Sequence, residues 1–514
     1  MLSVLLMGAA CAVGGSANGA DLADWKPSVR WCGYNVLSMF IKGGRPDVPE
    51  GQVRSLAKFC FRNPQEFREA DFALLQELGF NFARIPLDYR YWIKDNDPDK
   101  IDESVFGIFD RLVEMGRKHG IHIQFNFHRA PGYTVANPKE KLDLWTDPEA
   151  QRLCAKHWAY FARRYRDVPN EVLSFNLVNE PPSMDDERYG CVAKILIAAI
   201  RREDPKRFIV SDGIGSEPCK ALYGLPGVGQ AMRGYAPPAL RYQAGTVWPL
   251  LPDAPRGVFA NPGKKKWHAG PFTLADAPAS AVTMRFGMFS GAVTFKVSAD
   301  GQEVKTFTLE PKKGDADWTN VTHYAKWNVT QGRYLGEESF VLRKPAKELR
   351  IETVRGDWAV VTALEFAFED RKAVLGFNVA YENPANFAQR FTGWDEAEHF
   401  APAAGRTPRR YADPGQEFLY RWQMRPWEEA LANGTYVMVG EFGLSATMPQ
   451  AVVNRFLANQ FSLWDERNLG WAVWGEMGFL DARRPDAASE EFRGYRLDRT
   501  TYELMRAHTR DMSR

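Results

Sequence analysis

Short apolar runs recur along the chain at 29–37, 82–89, 121–128, 172–181, 207–213, 227–236, 436–443 and 470–477. Most are bounded by glycine, proline or asparagine. Several are apolar almost throughout, as expected of strands buried on both faces rather than one. Amphipathic helical patterns lie between them at 66–78, 103–119, 148–166, 187–203, 418–432 and 449–467, with a closing pattern at 501–512. The helix after the fifth run is short and weak, near 216–223. Eight strands each followed by a helix predict an α/β protein, a (β/α)8 TIM barrel.

The alternation stops between about 240 and 370. Short runs with period-two alternation replace it at 280–286, 292–297, 304–309, 339–342, 348–353 and 363–368, with Asp300-Gly301 as a turn pair. That spacing predicts an inserted antiparallel β-sandwich between the sixth and seventh barrel strands, a place where surface loops tolerate insertions. The expected order is a signal segment over 1–20, barrel over 21–240, sandwich over 241–375, and loops and the rest of the barrel over 376–514. Residues 376–414 read as loop-rich. The insert has two readings: a wall narrowing the cleft, or a sugar-binding face built on Trp248, Trp267, Trp318, Trp327 or Trp358. Alternation places many of its aromatics in its core.

Composition narrows the class. Of 514 residues, 45% are hydrophobic and 25% charged, which excludes a largely disordered chain. Lys and Arg total 66 against 64 Asp and Glu, a net charge of +2, so no general field favours nucleic acid or an anionic membrane. Aromatics reach 13%, with 16 Trp. A large core absorbs many, but indole also stacks on the C–H face of a pyranose while its N–H still donates. Residues 2–13 are apolar or small and lead into Gly14-Gly15-Ser16-Ala17-Asn18-Gly19-Ala20, a secretion-signal pattern that lacks a basic residue before Lys26 and is too short to span a bilayer. A secreted or periplasmic protein is expected. Six cysteines occur, and without Cys11 five remain; Cys32–Cys60 and Cys191–Cys219 are the open pairings. No CxxC or Cys/His spacing suggests a metal site.

Polar residues at the C-terminal ends of barrel strands read as functional. They are Arg84, His128, Asn179-Glu180, Tyr235, Glu441 and Trp474, all at one mouth. Two carboxylates there are the minimum for cleaving a glycosidic bond, one protonating the leaving oxygen and the other attacking carbon or activating water. Glu476 stands near the same mouth, and Trp31, Tyr34, Asn35, Tyr89, Trp92, Tyr133 and Trp145 are further subsite candidates for which packing is an equal reading.

The pieces Ala83-Arg84-Ile85-Pro86, Phe127-His128, Leu177-Val178-Asn179-Glu180-Pro181, Gly440-Glu441-Phe442-Gly443 and Trp471-Ala472-Val473-Trp474 resemble, in order, glycoside hydrolase family 5, the cellulase-like retaining β-glycosidases. The resemblance implies Glu180 as acid/base, Glu441 as nucleophile, Asn179 on the sugar 2-hydroxyl, His128 orienting a substrate group, and Trp474 beneath the sugar. It implies no cofactor. Arg84 and the Tyr235 hydroxyl would favour an ionised Glu441. One departure stands out: Met232-Arg233-Gly234-Tyr235 carries Arg where the family has His. A permanent cation beside Glu180 is expected to lower the acid's pKa, against the raising effects of burial and Glu441. His128-Arg129-Ala130-Pro131-Gly132-Tyr133 resembles the family's exo-β-1,3-glucanase branch and pulls the substrate toward β-glucan. The expected protein is a monomeric retaining β-glycoside hydrolase with carboxyl groups about 5–5.5 Å apart. β-Mannan, a glycolipid or non-catalytic polysaccharide binding are the alternatives.

Overall fold

The computed structural model describes residues 25–36, 69–136, 138–215, 217–236, 248, 255–260, 271–369, 372–377, 389–394, 400–402, 410–444, 448–474 and 489–509. The signal segment, Cys11, Cys60, Trp267 and Glu476 lie outside them.

All eight expected strands form. They are β1 (Cys32–Asn35), β2 (Phe82–Asp88), β3 (His122–Ala130), β4 (Leu173–Asn176), β5 (Ile209–Asp212), β6 (Val228–Arg233), β7 (Tyr436–Phe442) and β8 (Gly470–Trp474). Each pairs in parallel with the next, and β8 returns to β1, closing the barrel. The apolar runs are explained by position: β2 is buried along its whole length, one side in the barrel and the other under helices. β4 is shorter than its apolar run, so Asn179 and Glu180 stand on the loop beyond it.

Helices α1 (Glu69–Glu77), α2 (Gly107–His119), α3 (Pro148–Arg164) and α4 (Asp186–Glu203) follow the first four strands as far as they are described. Asp147 and Asp185 cap α3 and α4, and Gly120 ends α2 in the left-handed region at φ 64°. Among the described residues between β5 and β6 the one helical element is a 3₁₀ turn, Lys220–Leu222. The pattern expected at 418–432 is not one uniform helix. It divides into α5 (Pro414–Leu419), a π turn (Tyr420–Met424) and α6 (Arg425–Ala432). Pro426 has no N–H for an α-helical bond and its ring crowds the preceding turn, so the widened turn absorbs it. α7 (Gln450–Asp465) and α8 (Arg499–Ala507) complete the shell.

The main core fills the layer between strands and helices, while a small cluster of Trp31, Phe82, Phe208, Val210, Ala231, Met438 and Ala472 plugs the barrel itself. With the plug at the strand starts, the polar side chains at the strand ends share the opposite mouth.

Between β6 and β7 lie two sheets. One runs Val258–Ala260, Trp358–Ala367, Ser280–Ser290, Val329–Tyr334, Trp318–Tyr324, with Glu337–Leu342 and Lys372–Gly376 paired alongside. The other runs Gln302–Leu309, Val293–Ala299, Ala346–Arg355, Phe272–Ala277, Gln389–Trp394, Phe400–Pro402. Val282, Met284 and Phe289 of the first and Phe295, Val297, Leu349 and Ile351 of the second share one core. Three features differ from expectation. Val258–Ala260, Phe272–Ala277, Trp318–Tyr324, Val329–Tyr334 and Lys372–Gly376 are strands outside the six expected runs. Gln389–Trp394 and Phe400–Pro402, inside the stretch read as loops, are strands, and Gln389–Trp394 pairs in parallel with Phe272–Ala277, so the second sheet is mixed. Trp248 belongs to the barrel: it is buried against Phe418 and Phe456 and donates to Asn459 Oδ1 at 2.9 Å. Trp318 packs on Phe289 and Tyr334, and Trp358 is half-buried; Trp327, at 62%, is well exposed, 5.9 Å from Tyr324. Cys219 carries a free thiol, so the Cys191–Cys219 pairing is not formed. Among the described residues, no helix is long and apolar enough to cross a membrane.

Candidate active site

Arg84 organises the mouth from β2. Its guanidinium is fully buried and donates four bonds. Nη1 reaches Glu441 Oε1 at 2.5 Å and Asn35 Oδ1 at 2.9 Å, Nε reaches Asn176 Oδ1 at 2.8 Å, and Nη2 reaches Asn179 Oδ1 at 2.9 Å. The planar fork thus ties β1, β4 and β7 to β2. Asn35 in turn donates to the carbonyls of Gly440, Ala472 and Val473, locking the base of the Glu441 strand.

Glu441 is buried, and its other oxygen accepts the Tyr235 hydroxyl at 3.0 Å. Tyr235 follows β6, and the backbone under it is held from two helical segments. Gln423, in the π turn, donates to Tyr235 O at 3.0 Å, and Gln460 of α7 donates to Gly234 O at 2.7 Å. Neither glutamine was legible as a site residue, because each acts on backbone far away in sequence.

Arg233 ends β6 and joins the two glutamates. Nε donates to Glu180 Oε1 at 3.1 Å, and Nη2 lies 3.2 Å from Glu441 Oε1. Nη2 also donates to Asn179 Oδ1 at 2.8 Å and makes a short ion pair with Asp212. Gly440 makes room: a Cβ there would meet Ala231 Cβ at 2.8 Å and Arg233 Nη1 at 3.2 Å, and the β7 register shifts across it.

Glu180 lies where the loop after β4 turns into the left-handed region, at φ 45°. Its side chain is 36% exposed at the mouth. Burial of the carboxyl, then the charge of Glu441, pushes its pKa up; Arg233 opposes and Asp212 assists. Arg233 pulls the Glu180 pKa down, as expected of a cation, but the net shift is upward. Desolvation and a neighbouring carboxylate outweigh the cation, whose charge is shared with Asp212 and Glu441.

His128 is held neutral, well below its usual pKa, by burial and by Arg84 and Arg233. Its Nδ1 lies 3.3 Å from Asn126 Oδ1, and its ring stacks on Trp474, centroids 5.4 Å apart. Tyr133 donates to the Glu180 carbonyl at 2.5 Å and packs edge-on to Trp145. The structure thus gathers Arg84, His128, Asn179, Glu180, Arg233, Tyr235, Glu441 and Trp474 at one mouth. Of the further candidates, Trp31 lies in the plug at the other end, stacked on His122, and Trp92 is core, donating to His157. Sequence reading missed Asp212, although it is a polar residue at a strand end and the same rule finds it. Among the described residues, no group of three His, Cys, Asp or Glu side chains is arranged to hold a metal ion.

Residues 49–265 match the family model for cellulase, glycosyl hydrolase family 5. Over those residues the chain is similar to that family. The match takes in β2 to β6 with Glu180 and Arg233, while Glu441 and Trp474 lie beyond it. A β-xylosidase of Phanerodontia chrysosporium is 29% identical over 203 residues, 38% of this chain and 42% of that protein. Endoglucanase C of Acetivibrio thermocellus is 29% identical over 145 residues, 28% of this chain and 42% of that protein. The chain therefore spans less than half the length of either relative. A crystal structure of a glycoside hydrolase aligns with 93% of this chain and 99% of its own at a TM-score of 0.54 and 22% identity, a likeness of fold.

Proposed function

We propose that this chain is an exported retaining β-glycoside hydrolase acting on a β-glucan. The observation that carries the reading is one guanidinium, Arg233, in contact with two glutamates of different character. Glu180 has its proton affinity raised and reaches solvent. Glu441 is buried and held by Arg84 and Tyr235. That division suits a general acid and a nucleophile. Glu441 attacks the anomeric carbon while Glu180 gives its proton to the leaving oxygen. Glu180 then takes a proton from water, whose oxygen displaces Glu441 from carbon and frees the sugar with its configuration retained. Asn179 faces the sugar 2-hydroxyl, and Trp474 stacks beneath the ring.

The test is hydrolysis of a panel of β-1,3- and β-1,4-glucans, β-mannan, xylan and aryl β-glycosides, with the anomer first formed read by NMR. Wild type is expected to cleave a β-glucan with retention. Glu180→Gln is expected to lose about 10²–10⁴-fold on oligosaccharides, whose leaving groups need a proton, and much less on activated aryl glycosides. Equal activity of wild type and Glu441→Ala, or inversion of configuration, would overturn the reading.

A further inference from the structure

Asp212 is a third carboxylate that the two-glutamate mechanism does not use. It ends β5 and is 1% exposed. Both of its oxygens are engaged. Oδ1 accepts Asn176 Nδ2 at 2.9 Å. Oδ2 accepts the backbone N–H of Glu180 at 2.9 Å and the short bond from Arg233, and lies 3.6 Å from Arg84 Nη2.

Two problems at this mouth are met by that one group. The first is conformational. Glu180 is a side-chain-bearing residue at positive φ, a placement that costs about 1–3 kcal/mol unless its surroundings enforce it. Asp212 holds its amide and the Tyr133 hydroxyl holds its carbonyl, so the peptide is pinned on both sides. The second is electrostatic. Arg233 cannot release its proton. Paired with the glutamates alone, it would draw the Glu180 proton off. Asp212 supplies the matching negative charge from the buried side of the guanidinium.

We propose that Asp212 is a positioning residue for Glu180: it fixes the left-handed turn that presents the acid and neutralises Arg233, so that an Asp–Arg pair stands where the family resemblance leads one to expect a histidine. This rests on the hydrolase reading above. The charged and titratable groups around Glu180 are Asp212 from β5, Arg233 and Tyr235 at the end of β6, Glu441 from β7 and Tyr133 after β3, with Arg84 and His128 in the same network. Glu441 and Asp212 favour the protonated acid, and Arg233 opposes it.

Two variants separate this from a purely structural role. In Asp212→Asn the cation is left to the glutamates, so the alkaline limb of kcat/KM on a β-glucan oligosaccharide should move down by about one pH unit, with kcat reduced about tenfold or more and KM little changed. In Arg233→Gln the limb should move up by a similar amount. Limbs that stay in place, or that move in the same direction in both variants, overturn the proposal. If Asp212→Asn does not fold, Arg233→Gln decides alone, an upward shift supporting the proposal and any other result refuting it. The Glu180 carboxyl titration, followed by ¹³C NMR in glutamate-labelled protein and assigned with Glu180→Gln, reads the same shifts without turnover. An inactive wild type would thus sink the hydrolase reading while the titration still decides the role of Asp212.

Discussion

At the scale of single residues, buried asparagines at the mouth do as much as the charged groups. Asn35, Asn176 and Asn179 each accept from Arg84, and Asn35 and Asn176 pass hydrogen bonds on to backbone or to Asp212. Arg84→Met should therefore leave Glu441 without its strongest partner and several amide oxygens without donors. A loss of about 3–5 kcal/mol in denaturant unfolding is expected, the cost of breaking a buried pair from one side. Glu180 has the opposite signature. Its folded pKa lies above the ordinary glutamate value of 4.5, so the native state holds that proton more tightly than the unfolded chain, and stability from this group falls as pH rises above 4.5. Glu180→Gln should raise the melting temperature at pH 7, and the gain should shrink towards pH 4.5. Arg84, Glu180 and Glu441 were legible in the sequence because a charge at the end of an apolar strand has few other uses. Asn35 stood only among several subsite candidates and Asn176 was not marked, because an amide inside or ending a short strand has no pattern of its own.

At the scale of elements, the mouth end of β6, with Arg233 and Tyr235, depends on segments that the chain reaches only after the insert. The π turn at Tyr420–Met424 aims the buried Gln423 at Tyr235 O. Gln423→Leu should remove that donor, cost about 1–3 kcal/mol through the unsatisfied carbonyl, and lower kcat by loosening Tyr235; unfolding and steady-state kinetics on one preparation check both. Gly440→Ala should also cost about 1–3 kcal/mol by overpacking against Ala231, and it should push Arg233 out of line. Period-two alternation marked six of the thirteen described strands of the insert. It did not mark Gln389–Trp394, which pairs with Phe272–Ala277 from more than a hundred residues away and is a strand because of that partner.

At the scale of the molecule, the barrel keeps several histidines dry. Burial pushes His122 down to about 3 and His157 down to about 4. Both are neutral in the native state while the unfolded chain protonates near its ordinary value of 6.5. Below that pH the unfolded state binds more protons, so stability falls with falling pH, by about 2 kcal/mol for each histidine between pH 7 and 5. Glu180 works the other way as a single group. Unfolding midpoints in urea at the two pH values should drop accordingly, and His122→Gln should shrink the drop.

What the sequence determined by itself is what repeats or alternates: eight buried strands, a sandwich set between the sixth and seventh, and charged groups at strand ends that resemble family 5. Burial on two faces leaves an apolar run and burial on one face leaves alternation, so these features are written locally. The tertiary structure decided what depends on closure. Bringing β5 and β6 side by side sets Asp212 against Arg233, and closing β8 onto β1 brings Asn35 under the strand of Glu441. A proton affinity is a sum over neighbours that only the closed barrel assembles. This is why the pKa of Glu180 stands raised although Arg233 beside it pulls the other way.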